Sequence, residues 1–138
     1  MSKKVILASH GMLSAGMLDT VTMIAGELSY PCTAYQLTPG HHPDEFLPEV
    51  EEEVRQHPEV EFDIVVDLYG ASVCTSFYTL ARYGNVHLFT GMNLNLVLSL
   101  LVEHPEALTG KDIQEIISDA QKGIRNLSGS EEIQPDEF

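Results

Sequence analysis

Short apolar runs alternate along this chain with longer stretches whose apolar positions recur at helical spacing. From Lys4 to Ala8 the run Val-Ile-Leu-Ala predicts a strand buried on both faces. After His10-Gly11, the positions Met12, Leu13, Met17, Leu18, Val21, Ile24, Ala25 and Leu28 predict an amphipathic helix, with Ser14-Ala15-Gly16 in its first turn. Cys32–Leu37 alternates and stops at Thr38-Pro39-Gly40, a second strand ending in a turn. Phe46, Leu47, Val50 and Val54 then share a stripe opposite Glu49, Glu51, Glu52 and Glu53, a helix that ends near His57-Pro58.

The same alternation continues to the last helix. Phe62–Tyr69 predicts a third strand that runs into Gly70-Ala71-Ser72, followed by a helix from about Val73 to Tyr83. Val86–Phe89 predicts a fourth strand ending at Thr90-Gly91-Met92-Asn93, and Asn93 or Asn95 can cap a helix over Leu96–Val102. A final helix spans Lys111 to about Leu127, and the acidic segment from 128 to 138, SGSEEIQPDEF, is expected to be disordered. Strand–helix alternation implies an α/β fold, an open, mainly parallel sheet with right-handed crossovers and helices on both faces.

Composition narrows the class. A chain of 138 residues with 43% hydrophobic content fits one domain with a core of its own, here residues 1–127. Its 2 cysteines, Cys32 and Cys74, form no C-x-x-C pair and read as small core residues. The opening MSKKVILASHG breaks its apolar run too early for a signal peptide or a membrane span, which points to the cytoplasm. The 21 acidic against 7 basic residues, a net charge of −14, exclude nucleic acid and favour a basic protein partner.

In an open parallel sheet, chemistry collects at the carboxyl ends of the strands. Two of the four ends carry an ionisable group of catalytic type: His10, followed by Gly11, and Asp67, followed by Leu68-Tyr69-Gly70-Ala71-Ser72. A carboxylate that accepts a bond from one ring N–H leaves the other imidazole nitrogen nucleophilic. Gly70, Ala71 and Ser72 offer backbone amides and a hydroxyl that can hold a phosphoryl group without arginine. Arg55, Arg82 and Arg125 all fall in predicted helices. His41-His42 with Asp44 and Glu45 lacks a spaced third ligand, so no metal is assigned, and His57, His87 and His104 read as structural.

The order Ser9-His10-Gly11, Pro39-Gly40, Asp67-Leu68-Tyr69-Gly70-Ala71-Ser72 and Thr90-Gly91-Met92-Asn93-Leu94 resembles the IIA component of the mannose family of the bacterial phosphoenolpyruvate-dependent sugar phosphotransferase system. The resemblance covers about Lys3 to Leu127. It implies sheet order 2-1-3-4, phosphorylation of His10 at Nε2, orientation of its Nδ1–H by Asp67, and support of the phosphoryl group by Ser72 together with the turns at Gly11 and Gly70-Ala71. It also implies a phosphohistidine carrier protein as donor, a IIB component as acceptor, and no cofactor. A homodimer is implied as well, with a fifth antiparallel strand exchanged near Gly123–Leu127 and the apolar positions Ile113, Ile116, Ile117, Ile124 and Leu127 close by. Ala71 and Val73 depart from the family's usual Gly-Gly-Ser-Pro.

Three other readings compete. A phosphorylation-sensing regulatory domain of the same fold would pass nothing on. A histidine phosphatase would carry arginine immediately before the histidine, where this chain has Ser9. A flavodoxin-like module would carry a Ser/Thr-rich phosphate loop in place of His10-Gly11-Met12-Leu13.

Overall fold

A computed structural model describes residues 2–129. The elements run β1 (Ser2–His10), α1 (Leu13–Ala25), β2 (Cys32–Leu37), α2 (Leu47–Gln56), β3 (Val60–Val66), α3 (Ser72–Tyr78), β4 (Val86–Phe89), α4 (Leu94–Leu98) and α5 (Gly110–Lys122). The strands pair in parallel in the order β2-β1-β3-β4, the order expected. With β1 between β2 and β3, the carboxyl ends of β1 and β3 lie side by side.

Side-chain alternation along the strands separates two cores. Val5, Leu7, Val65 and Phe89 face α1, α4, the turn that follows α4, and α5 through Val21, Val97, Leu100 and Ile116. Ile6, Ala8, Ile64 and Val66 face α2 and α3 through Val50, Val54, Val73 and Phe77. Each face buries a continuous apolar layer, and this burial is the main favourable term holding the helices on the sheet.

Several boundaries differ from expectation for physical reasons. β1 extends past the apolar run to Ser2 and His10, because Lys3 and Ser9, though polar, are buried with polar partners. β3 ends at Val66, short of Tyr69: the Asp67 carboxylate takes the N–H of Leu68 at 2.9 Å and turns the chain out of the sheet. α3 begins at Ser72 and tightens into a 3-10 turn over Thr79–Arg82. Asn93, not Asn95, caps α4 by accepting the N–H of Leu96 at 2.8 Å, and α4 then widens into a π turn over Ser99–Glu103.

α5 starts on a reciprocal cap, with Thr109 accepting the N–H of Asp112 while the Asp112 carboxylate accepts the N–H of Thr109. It ends at Lys122, not Leu127, so Arg125 lies beyond the helix. Among the described residues the sheet has four strands, and residues 123–127 carry no strand. Ile116 is buried in this subunit's own core and Ile113 packs against it, whereas Ile117, Ile124 and Leu127 are exposed. Residues 130–138, most of the segment expected to be disordered, lie outside the described residues.

Candidate functional site

The site is built where β1 and β3 end together. Ile6 pairs with Ile64 and Ala8 with Val66, so each chain leaves the sheet one or two residues later at the same height. Asp67 Oδ2 lies 2.8 Å from His10 Nδ1, and the same oxygen accepts the His10 backbone N–H at 2.8 Å. His10 Nε2 lies 3.1 Å from Ser72 Oγ. The sequence-predicted His10, Asp67 and Ser72 thus come together from three separate segments.

This arrangement assigns the ring protons. A carboxylate accepts, so Nδ1 carries the hydrogen and Nε2 keeps its lone pair, to which the Ser72 hydroxyl donates a hydrogen bond. The imidazole is 48% exposed while the Asp67 side chain is only 10% exposed. The carboxylate is sheltered, and the ring it bonds is exposed.

The turns around the ring need unusual backbone. Gly11 (φ 56°) and Gly70 (φ 80°) occupy the left-handed region that side chains disfavour. Gly11 donates its N–H to the Leu37 carbonyl at 2.7 Å, so it shapes the turn rather than presenting a free amide. Ala71 donates to the Leu68 carbonyl at 3.3 Å and forms the N-cap of α3, which no side chain caps. The first-turn amides of α3 therefore open beside the Ser72 hydroxyl.

Two serines brace the turn from inside. The buried Ser9 hydroxyl accepts the N–H of Ser14 at 2.7 Å, and the Ser14 hydroxyl donates to the Tyr35 carbonyl at 2.7 Å. These bonds tie the start of α1 to both β1 and β2, and Ser9 does the work of the side-chain cap that Met12 lacks. Four large apolar side chains that flank the site residues in sequence are exposed, Met12 and Leu13 just after His10-Gly11 and Leu68 and Tyr69 just after Asp67, Tyr69 by 82%. Their closeness in sequence to His10 and Asp67 was the available signal for this rim.

The other histidines stay apart from this centre. His41 lies 2.6 Å from Glu45 and His42 3.3 Å from Asp44, each bonded within its own loop. Cys74 is buried and Cys32 partly so, and burial pushes the Cys32 thiol up to about 12. Among the described residues no helix is long and apolar enough to cross a membrane.

The family model for the PTS system fructose IIA component, EIIA-man, matches residues 4–117. The chain belongs to that family. This IIA component is 31% identical over 109 residues to the PTS system sorbose-specific EIIA component of Klebsiella pneumoniae, an alignment covering 78% of each chain. Among solved structures, the mannose/sorbose specific IIA subunit of Enterococcus faecalis superposes with a TM-score of 0.78 at 20% identity, covering 96% of this chain and 100% of that one. The PTS IIA protein associated with the fucose utilization operon of Streptococcus pneumoniae gives 0.77 at 24% identity, covering 92% and 94%. At these identities both structures speak to the shared fold. The chain is accordingly a sugar phosphotransferase system IIA component of α/β architecture.

Proposed function

We propose that this IIA component is a cytoplasmic phosphoryl carrier that accepts a phosphoryl group on His10 Nε2 from a phosphohistidine carrier protein and passes it to a IIB component. The observation that carries the reading is the division of the His10 ring: Nδ1 held at 2.8 Å by Asp67, Nε2 facing the exposed side at 3.1 Å from Ser72.

In this reading the Nε2 lone pair attacks phosphorus as the donor's N–P bond breaks in line, and the departing donor imidazole keeps that electron pair. Nδ1 retains its hydrogen, so the phosphorylated ring gains positive charge, which the Asp67 carboxylate offsets. The Ser72 hydroxyl, freed from Nε2, turns to a phosphoryl oxygen beside the open amides of α3. Transfer to a IIB component is the same displacement in reverse, with IIB as nucleophile. Positioning and charge stabilisation supply most of the catalysis.

Because the phosphoryl group arrives on another protein, the ring must sit in a docking face. The exposed rim of Met12, Leu13, Leu68 and Tyr69 fits that need, and the net charge of −14 favours donors with a basic surface. The proposed homodimer has a natural face at the edge strand β4. A groove of about 670 Å³ flanks it, lined among others by Tyr78, Leu88, Ile117 and Ile124.

The test is incubation with phosphoenolpyruvate, the two general phosphotransferase proteins and this chain, followed by mass analysis. Incorporation of an acid-labile, base-stable phosphoryl group that a IIB component can remove supports the carrier. Incorporation that no IIB component removes would favour a sensing domain, and no incorporation would overturn the reading.

A further inference from the structure

At the opposite end of the strands from His10, four ionisable side chains converge. Lys3 pairs in register with Glu61, and Asp63 with His87, so all four project from one face of β1, β3 and β4. Lys3 Nζ lies 2.8 Å from Asp63 Oδ2 and 3.3 Å from Glu61 Oε2, and it donates to the His104 carbonyl at 3.0 Å. His87 Nε2 lies 3.2 Å from Glu61 Oε1, which also accepts the Leu108 N–H at 3.1 Å. The side chains of Lys3, Glu61 and Asp63 are buried, that of Asp63 completely.

Glu61 is well satisfied and Asp63 is not. The Asp63 carboxylate has no hydrogen bond beyond its one close contact, the ion pair of Oδ2 with the Lys3 ammonium at 2.8 Å. Two buried carboxylates face one ammonium, which leaves one negative charge in excess when His87 is neutral. An uncompensated buried charge is costly, and the group neutralises instead where it can.

Three species could cancel that charge. Ligand atoms of Glu61, Asp63 and His87 lie within 4.8 Å of one another, a spacing that suits a metal ion, but the Lys3 ammonium already stands between the two carboxylates. An imidazolium at His87 would cancel the charge from the partly exposed edge of the cluster, through Glu61 at 3.2 Å, but would give the fully buried Asp63 oxygens no hydrogen bond. A proton on Asp63 removes the excess charge at the most deeply buried member and makes it an O–H donor, for which the neighbouring Glu61 carboxylate is the acceptor. We propose that Asp63, with Glu61 beside it, is a buried proton-binding site that neutralises this cluster.

Burial raises the Asp63 carboxyl from 3.8 to about 6; Lys3 opposes the shift and Glu61 adds to it. The surrounding groups do not supply the missing charge. The Tyr30 ring lies 6.0 Å from the Lys3 ammonium, with its hydroxyl given to the Leu101 carbonyl and its phenol raised by burial, Glu106 adding to that shift. His104 lies 3.7 Å from Asp112 and offers Lys3 only its carbonyl. Because the folded value lies above the unfolded one, folding takes up a proton between the two. The stabilising contribution of Asp63 is complete below 3.8 and is lost as pH rises through about 6.

The test compares the full chain with Asp63→Asn by urea denaturation from about pH 7 to about pH 5. Wild type should gain stability relative to the variant as pH falls, and the variant should be the more stable at neutral pH. Parallel curves would overturn the proposal. Should the variant fail to fold, carboxyl NMR of wild type decides: a midpoint for Asp63 near 6 supports the site, and one near 3.8 overturns it. A rise in midpoint on adding zinc to chelator-treated wild type, absent in Asp63→Asn, would also overturn it in favour of a metal.

Discussion

His10 and Asp67 are joined twice through a single oxygen: Asp67 Oδ2 lies 2.8 Å from both the backbone nitrogen and the Nδ1 of His10. A carboxylate bonded in this way fixes the height of the histidine and the tautomer of its ring at once. Asp67→Asn keeps the shape but can turn an N–H toward the ring, and it removes the charge that, on the proposed function, steadies the phosphorylated imidazole. Phosphorylation should slow on the order of 10²–10⁴-fold, with the circular dichroism spectrum and melting cooperativity retained. A wild-type rate in rapid-quench measurements would reduce Asp67 to a turn former.

The serine brace gives a second expectation. Ser14→Ala removes the donor to the Tyr35 carbonyl, and Ser9→Ala leaves the Ser14 N–H without its acceptor. Each should cost about 1–2 kcal/mol in urea denaturation, the usual loss for an N-cap or for a buried group left unpaired. Ser9→Thr, which keeps the hydroxyl, should recover part of the loss. Equal stability of all three with wild type would contradict the brace.

Much of this centre was legible in the sequence and part of it was not. An apolar run stopped by Ser9-His10-Gly11, and another stopped before Gly70, exposed the ends of β1 and β3 because glycine in the left-handed region marks a turn. The Ser9–Ser14 bond gave no pattern, since it joins the end of a strand to the first turn of a helix across five positions. The buried Lys3, Glu61 and Asp63 were hidden for another reason. Charged residues in a strand read as solvent-facing until the register shows them opposite one another. The end of α5 was overestimated because Ile124 and Leu127 continue the apolar stripe after the helix has stopped at Lys122.

The exposed rim separates docking from chemistry. Leu68→Ser and Tyr69→Ala should raise the KM for the phosphorylated carrier protein several-fold while leaving kcat near wild type, because neither side chain bonds the His10 ring. Added salt should slow association in wild type and variants alike, as expected for a surface of net charge −14. A fall in kcat with unchanged KM would mean that the rim acts on the ring itself. On-rates flat with salt would assign the charge to colloidal stability alone.

The proposed dimer face can be tested at two residues that do not bond His10, Asp67 or Ser72. Ile117 and Ile124 are exposed in the single subunit and line the groove beside β4. Ile117→Glu with Ile124→Glu should convert a dimer to a monomer in light scattering while phosphoryl uptake persists, since a charge buried at an interface is unfavourable. A double variant that stays dimeric would move the interface elsewhere.

The central claim is that phosphorus arrives at Nε2 of His10 because Asp67 holds the hydrogen on Nδ1. Nitrogen-15 NMR of ring-labelled protein, recorded before and after phosphorylation by phosphoenolpyruvate and the general proteins, reads both halves of it. The account predicts an Nδ1–H tautomer beforehand and phosphorus coupling to Nε2 of His10 afterwards. A ring protonated on Nε2 at neutral pH, or phosphorus coupled to Nδ1 or carried by another residue, would contradict it.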